Sequence, residues 1–217
     1  NQGNKENGND DINEMFAGFK ENFTNIKLRV SLLFTIVVNI AMLGFNATII
    51  YYLQDQLKLS NSLVGIVYSI AGFGSLIAVT LLSTFLNKKD TFILMNISMA
   101  TIPLVIMASG IVENWIFFGI CYSILSGLIT IASVSITTIQ QQESTEYNIG
   151  KILSSSFVIA TIFAPFGGIL AAYFNWLLNP RLSLVILGLL SSLLVILIKS
   201  YEKKLIKKST AIFIKED

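Results

Sequence analysis

The chain has 217 residues, of which 53% are apolar and only 13% charged, with a net charge of +2; an ordinary soluble domain is about a quarter charged. At a mean hydropathy of +0.70 the apolar surface exceeds what one core can hide, which argues against a water-soluble globule and for a polytopic membrane protein. The sequence holds no histidine and a single cysteine, Cys121, which removes His-based acid–base catalysis, catalytic triads, most zinc sites and any intrachain disulfide.

The chain opens with NQGNKENGNDD, a polar, Asn- and Gly-rich run without apolar anchors that reads as a flexible linker. It has no apolar core behind basic residues and no initial Met, so it is not a signal peptide, and the chain reads as the downstream part of a longer protein. In the next stretch Ile12, Phe16, Phe19, Phe23 and Ile26 recur at spacings of four, three, four and three. At 100° per residue they share an arc of about 80°, one apolar stripe on a helix. Residues 1–27 are therefore expected to form a cytoplasmic linker whose amphipathic helix lies on the membrane face or extends the first span.

Six runs are long and apolar enough to cross about 30 Å of hydrocarbon. They cover Leu28 to Leu53, Ser62 to Leu86, Thr91 to Ile111, Trp115 to Ile139, Ile152 to Tyr173 and Leu182 to Ile198, separated by polar breaks too short for a soluble domain. Residues 28–199 form this six-span unit, and residues 200–217 a basic tail. Thirteen of the fifteen basic residues fall on one side, leaving Lys58 and Arg181 on the other. By the positive-inside rule both termini are cytoplasmic in a multi-pass plasma-membrane protein. Trp115, Trp176, Tyr51, Tyr52 and Tyr173 gather at the expected outer interface, where amphipathic rings prefer to sit.

No Asp, Glu, Lys or Arg lies in the middle of a span, so intramembrane ion pairs and acid-based proton relays are absent from this chain. Neutral polar residues are aligned instead. Thr35, Asn39 and Asn46 lie within about 40° of arc on the first span. Gly65, Tyr68, Gly72, Ser75 and Ser83 share a face of the second, and Tyr122, Ser126, Thr130, Ser133 and Thr137 a face of the fourth. Such residues either let helices pack closely or line a hydrated cavity. In the fifth span Pro165, Gly167 and Gly168 mark either tight packing or a hinge. The third and sixth spans are more uniformly aliphatic and read as outer supports.

Several segments taken in order carry a resemblance. LKLSNSLVGIVYSIAGFGSLIAVTLLSTFLNKKD is similar to the eighth span and following cytoplasmic loop of the major facilitator superfamily, with Lys88 and Lys89 a weak echo of that family's basic loop signature. IQQQESTEYNIGKILSSSF, with Gly150 and Lys151 where Gly-Arg is usual, and APFGG resemble its macrolide-efflux and enterobactin-exporter branch. The resemblance implies an all-α fold in which six helices form the C-terminal half, spans seven to twelve, of a transporter whose N-terminal half is elsewhere. It implies export of a small amphipathic compound, a drug, an antibiotic or a siderophore, by alternating access and proton antiport. Spans one, two, four and five would line the cavity, with Asn39, Asn46, Tyr68, Ser75, Tyr122, Ser126 and Thr130 facing substrate. The partners implied are the lipid bilayer, the other half and a small-molecule substrate; no enzyme activity, cofactor, metal or nucleic acid is expected. A six-span substrate-binding subunit of a vitamin importer is the alternative that length and span number also fit.

Overall fold

The computed structural model describes residues 18–85, 91–145 and 147–216, with backbone alone at 84–85 and 208–216. No strand occurs among the described residues. The first described residues, 18–24, are helical (α1) and break at Asn25, whose side chain accepts from the Lys27 amide at 2.9 Å and so caps the next helix. Then follow α2 (Ile26–Tyr51) with a terminal π-helical turn (Tyr52–Gln56), α3 (Asn61–Phe85), α4 (Thr91–Ile111), α5 (Trp115–Gln142), α6 (Ile149–Leu177) and α7 (Pro180–Glu216). Six of these helices are long and apolar enough to cross a membrane, a setting in which continuous helices satisfy their own backbone groups. The chain reverses between α2 and α3 through Lys58, whose φ of 54° is the left-handed conformation.

The third span, α4 (Thr91–Ile111), has the bounds read from sequence. Elsewhere helices outrun their apolar runs: α5 continues to Gln142, α6 starts at Ile149, and α7 runs unbroken from Pro180 to Glu216 through the basic tail. Hydropathy reports the membrane crossing, whereas Gln, Lys and Glu are good helix formers that carry a helix beyond it.

Side-chain contacts define two ends of the bundle. Lys27 pairs with Glu143 and Asn22 bonds to Ile152 at the end where the described chain starts, here the terminal end. At the opposite end the Tyr52 hydroxyl donates to the Val112 carbonyl, and Arg181 donates to Glu113 (2.8 Å) and to the α4 carbonyls of Gly110 and Ile111.

Helix packing has an internal symmetry. α2 packs on α6 as α3 packs on α5, α4 on α5 as α7 on α2, while α2 meets α5 and α4 meets α7. Exchanging α2, α3 and α4 for α5, α6 and α7 maps these six pairings onto one another, although α2 leaves the terminal end and α5 returns to it; the weaker α6–α7, α5–α6 and α2–α4 contacts have no equal counterpart. The close crossings are also related. Gly44 meets the Gly167 carbonyl across α2 and α6, and Gly127 meets the Gly74 carbonyl across α5 and α3; a Cβ would stand 3.0 and 3.1 Å from them. Across α4 and α7, Gly110 lies against Leu184 and Gly188 against Met107. Small residues let membrane helices approach to backbone contact.

The core between these layers holds Phe34, Phe45, Tyr52, Met95, Met99, Phe118 and Leu125, all essentially inaccessible. α4 and α7 each bury 39% of their most apolar stretch, against 28% for α3 and 17% for α6. The aliphatic α4 and α7 thus lie against neighbours, as does the polar-striped α2 at 44%, and exposed apolar faces remain on α3 and α6, where Phe73, Leu76, Ile162 and Ile169 point outward. Such faces are compatible with lipid contact.

Candidate functional site

A cavity of about 350 Å³ lies between α2, α5 and α6 toward the terminal end. It is lined by Thr35, Val38 and Asn39, by Ser133, Ile136, Thr137 and Gln140, and by Leu153, Ser156 and Phe157. The spacings of three and four place each set on one helix face. Six of the ten lining side chains are neutral and polar, and none is ionisable.

The polar groups are only partly used. Thr35 Oγ1 donates to the Ser31 carbonyl and Asn39 Nδ2 to the Thr35 carbonyl, both at 2.8 Å. Gln140 Nε2 donates to Ser156 Oγ at 3.1 Å, and Ser156 donates onward to Asn22 Oδ1 at 3.2 Å. Asn22 Nδ2 donates to the Ile152 carbonyl (3.1 Å) and to Ser155 Oγ (2.7 Å). The hydroxyls of Ser133 and Thr137 have no partner among the described residues.

Asn22 is 0% exposed and closes one wall of this polar layer from α1. Around it, Asn148 donates to Glu21 (2.9 Å), Asn25 to Glu143 (3.1 Å) and Lys27 to Glu143 (2.6 Å), while Gly18 sits against the Lys151 carbonyl, where a Cβ would approach to 2.6 Å. These contacts clasp α1 and the start of α2 onto the α5–α6 turn. Partial burial raises the Glu143 carboxyl, but the hydrogen bonds from Lys27 and Asn25 and the charge of Lys27 outweigh it and hold the group below the ordinary carboxylate value. A carboxyl depressed in the folded state contributes stability that is complete above its unfolded value and is lost as pH falls through the folded one. Protection of the 18–25 amides, taken relative to the intrinsic exchange rate at each pH, is therefore expected to fall as pH drops below the usual carboxylate range, and Glu143→Gln to flatten that dependence. The neutral-pH effect is small, under about 1 kcal/mol, because Lys27 is 59% exposed. Protection that is equally pH-dependent in the variant would remove Glu143 from the clasp.

The residues singled out in the sequence fall into separate places. Asn39 lines the cavity, and Ser133 and Thr137 from the fourth-span stripe join it there. Ser75 and Ser126 bond to each other at 2.7 Å across the α3–α5 crossing, and Thr130 bonds back to the Ser126 carbonyl. Tyr122 packs at a tilt on Phe45 (5.1 Å between centroids) and edge-to-face on Tyr68 (5.6 Å) in an aromatic cluster that continues through Phe118 to Tyr52. Asn46, two turns along α2 from Asn39, is half-buried without a hydrogen bond among the described residues. Pro165 is exposed on α6, Gly167 is buried against the Ile40 carbonyl of α2, and Gly168 meets only a Leu43 methyl at 3.9 Å. Gly150 is open to solvent; Lys151 lies over the Tyr147 ring at 4.1 Å. Lys88 and Lys89, with Ile12 and Phe16 of the amphipathic stripe, lie outside the described residues. Tyr52, grouped by sequence with the interfacial aromatics, is fully buried, whereas Tyr51, Tyr173 and Trp176 are exposed.

Sequence reasoning missed Asn22, Gln140 and Ser156. Gln140 was legible in principle, since it continues the face of Ser133 and Thr137 by three residues, but it falls in the QQQ run that reads as a loop. Asn22 lies outside the apolar stripe of its own helix, and no local pattern marks it as buried.

No protein-family model, no curated protein and no solved structure matches this chain.

Proposed function

We propose that this six-helix unit is one half of an alternating-access secondary transporter of the major facilitator type, exporting a small amphipathic compound across the plasma membrane without transforming it chemically. The observation that carries the reading is the exchange symmetry of the packing: two three-helix units of opposite direction meet with glycines at corresponding crossings. Inverted three-helix repeats nested in a six-helix half, with binding sites where repeats meet, are the architecture of that transporter class. The cavity bounded by α2, α5 and α6 lies where the two units meet. The lysine distribution supports a cytoplasmic terminal end, and the exposed faces of α3 and α6 offer area for a second half and for lipid. The spans lack a carboxylate, so a proton-coupled cycle takes its titrating acid from the other half.

The gene expressed in a host lacking its own exporters is expected to lower accumulation of at least one macrolide, tetracycline or cationic dye. Asn39→Ala is expected to reduce that efflux about tenfold, the effect of one polar contact to ligand, with unchanged membrane insertion. Unchanged accumulation of every compound tested would overturn the reading.

A further inference from the structure

The hydrogen bonds around the cavity have directions that the chemistry of their partners fixes. Asn22 Nδ2 donates to the Ile152 carbonyl, which can only accept, so Asn22 Oδ1 is an acceptor and the Ser156 hydroxyl beside it must donate. Ser156 Oγ is then left to accept, so Gln140 offers it Nε2. The Gln140 carbonyl oxygen is consequently without a protein partner among the described residues, although the side chain is 3% exposed and lines the cavity. The same logic applies across the cavity. Asn39 must present Nδ2 to the Thr35 carbonyl, which leaves its own Oδ1 unused. Thr35 has already donated its hydroxyl hydrogen to Ser31 and can only accept.

Three oxygens, Gln140 Oε1, Asn39 Oδ1 and Thr35 Oγ1, thus retain acceptor capacity in one cavity that no Lys, Arg or carboxylate lines. Against them stand one spare N–H on each amide and the uncommitted hydroxyls of Ser133 and Thr137. An anion here has only those four donors, meets the negative ends of the Asn39 and Gln140 carbonyl dipoles and finds no cation to compensate it; a cation likewise finds no countercharge but takes all three oxygens. A donor carrying positive charge gains charge-assisted bonds to the same oxygens, and the exposed Phe157 ring supplies a face for a cation. The volume of about 350 Å³ is many times that of a water, which occupies about 30 Å³ in the liquid, and suits an organic body better than a bare ion.

We propose that the cavity binds an organic ammonium ion, a protonated primary or secondary amine on an apolar body, with the Asn39 and Gln140 carbonyls as its acceptors. This rests on the transporter reading only in taking the cavity as the ligand site of a membrane carrier. Asn22 then acts as a positioning residue, since it sets the direction of the chain that aims the Gln140 carbonyl.

The test is equilibrium binding to the purified full-length protein in lipid nanodiscs, using four probes with one body: 4-phenylbutylamine, its N,N,N-trimethyl analogue, 4-phenylbutanol and 4-phenylbutyrate. The amine is expected to bind best, the trimethyl analogue and the alcohol about tenfold more weakly for want of N–H donors or of charge, and the carboxylate not measurably. Asn39→Leu and Gln140→Leu should each weaken amine binding about tenfold, while leaving the trimethyl analogue nearly unchanged. Equal binding of amine and carboxylate, or of amine and trimethyl analogue, would overturn the proposal on the wild-type protein alone, whatever the variants do. Selective amine binding without transport in sealed vesicles would uphold the site and overturn the transporter reading. Transport of the carboxylate without amine binding would do the reverse.

Discussion

Gly167→Ala is expected to destabilise the bundle by about 3 kcal/mol or more, the upper range for forcing atoms into a packed contact, and to lower the thermal midpoint by about 10 °C. A Cβ at this position would stand 1.9 Å from the Ile40 carbonyl oxygen and 2.8 Å from its carbon. Those are backbone atoms, so neither can rotate away, and relief requires α2 and α6 to separate. The adjacent Gly168→Ala, whose Cβ meets only a flexible Leu43 methyl at 3.9 Å, and Gly65→Ala, which meets nothing within 4 Å, should leave the midpoint unchanged. Gly74→Ala places its Cβ 2.0 Å from the Ser123 carbonyl oxygen at the corresponding crossing of α3 and α5 and should lose a similar amount. Midpoints from fluorescence-detected size exclusion check all four. A Gly167→Ala midpoint equal to that of Gly168→Ala would contradict the close α2–α6 crossing.

Asn22→Ala is expected to cost about 2–3 kcal/mol and to free α1 from the bundle, because it strips partners from groups that stay buried. The side chain is fully inaccessible and bonds to Ile152, Ser155 and Ser156 at once. Asn22→Asp should not rescue it. The carboxylate keeps the acceptor for Ser156 but turns an oxygen toward the Ile152 carbonyl, setting two acceptors 3.1 Å apart where Asn22 now donates. Limited proteolysis at Lys20 and Lys27 reads the outcome directly: both variants should be cut faster than the wild type while cleavage elsewhere is unchanged. Wild-type protection in Asn22→Ala would show that α1 is held without Asn22, by contacts such as the Asn148–Glu21 hydrogen bond.

The spans themselves were readable because hydrocarbon thickness and backbone satisfaction leave a run of about 20 apolar residues few alternatives to a helix. Thr91–Ile111 was readable to the residue, since polar breaks stand at both ends. Partnership between helices was not. The sequence marks Pro165, Gly167 and Gly168 as a dense small-residue signal, yet only Gly167 is pressed against the α2 backbone, and that depends on the rotation of α6 about its axis. Ser75 and Ser126 look like cavity polarity on their own helices, but the crossing of α3 and α5 brings their hydroxyls together. The uniform α7 looks lipid-facing in isolation and is among the better-buried helices because α2 and α4 both lie against it. The exchange symmetry of the two three-helix units leaves no trace in sequence, since it resides in contacts between segments that share no motif. Gln140 shows the complementary case: the polar stripe of α5 runs on past the apolar run, and reading its period instead of its hydropathy would have reached it.

Alternating access at the α2–α5–α6 cavity would change the accessibility of Thr137 during transport. Thr137 is exposed to the cavity, and Cys121 is the single cysteine of the chain. Cys121→Ser with Thr137→Cys therefore gives one reporter here. In oriented membrane vesicles the new thiol should react with a membrane-impermeant maleimide from the terminal side, and an imposed proton gradient with transported compound present should change that rate several-fold. Labelling at one constant rate, with and without gradient and compound, would rule out alternating access at this cavity.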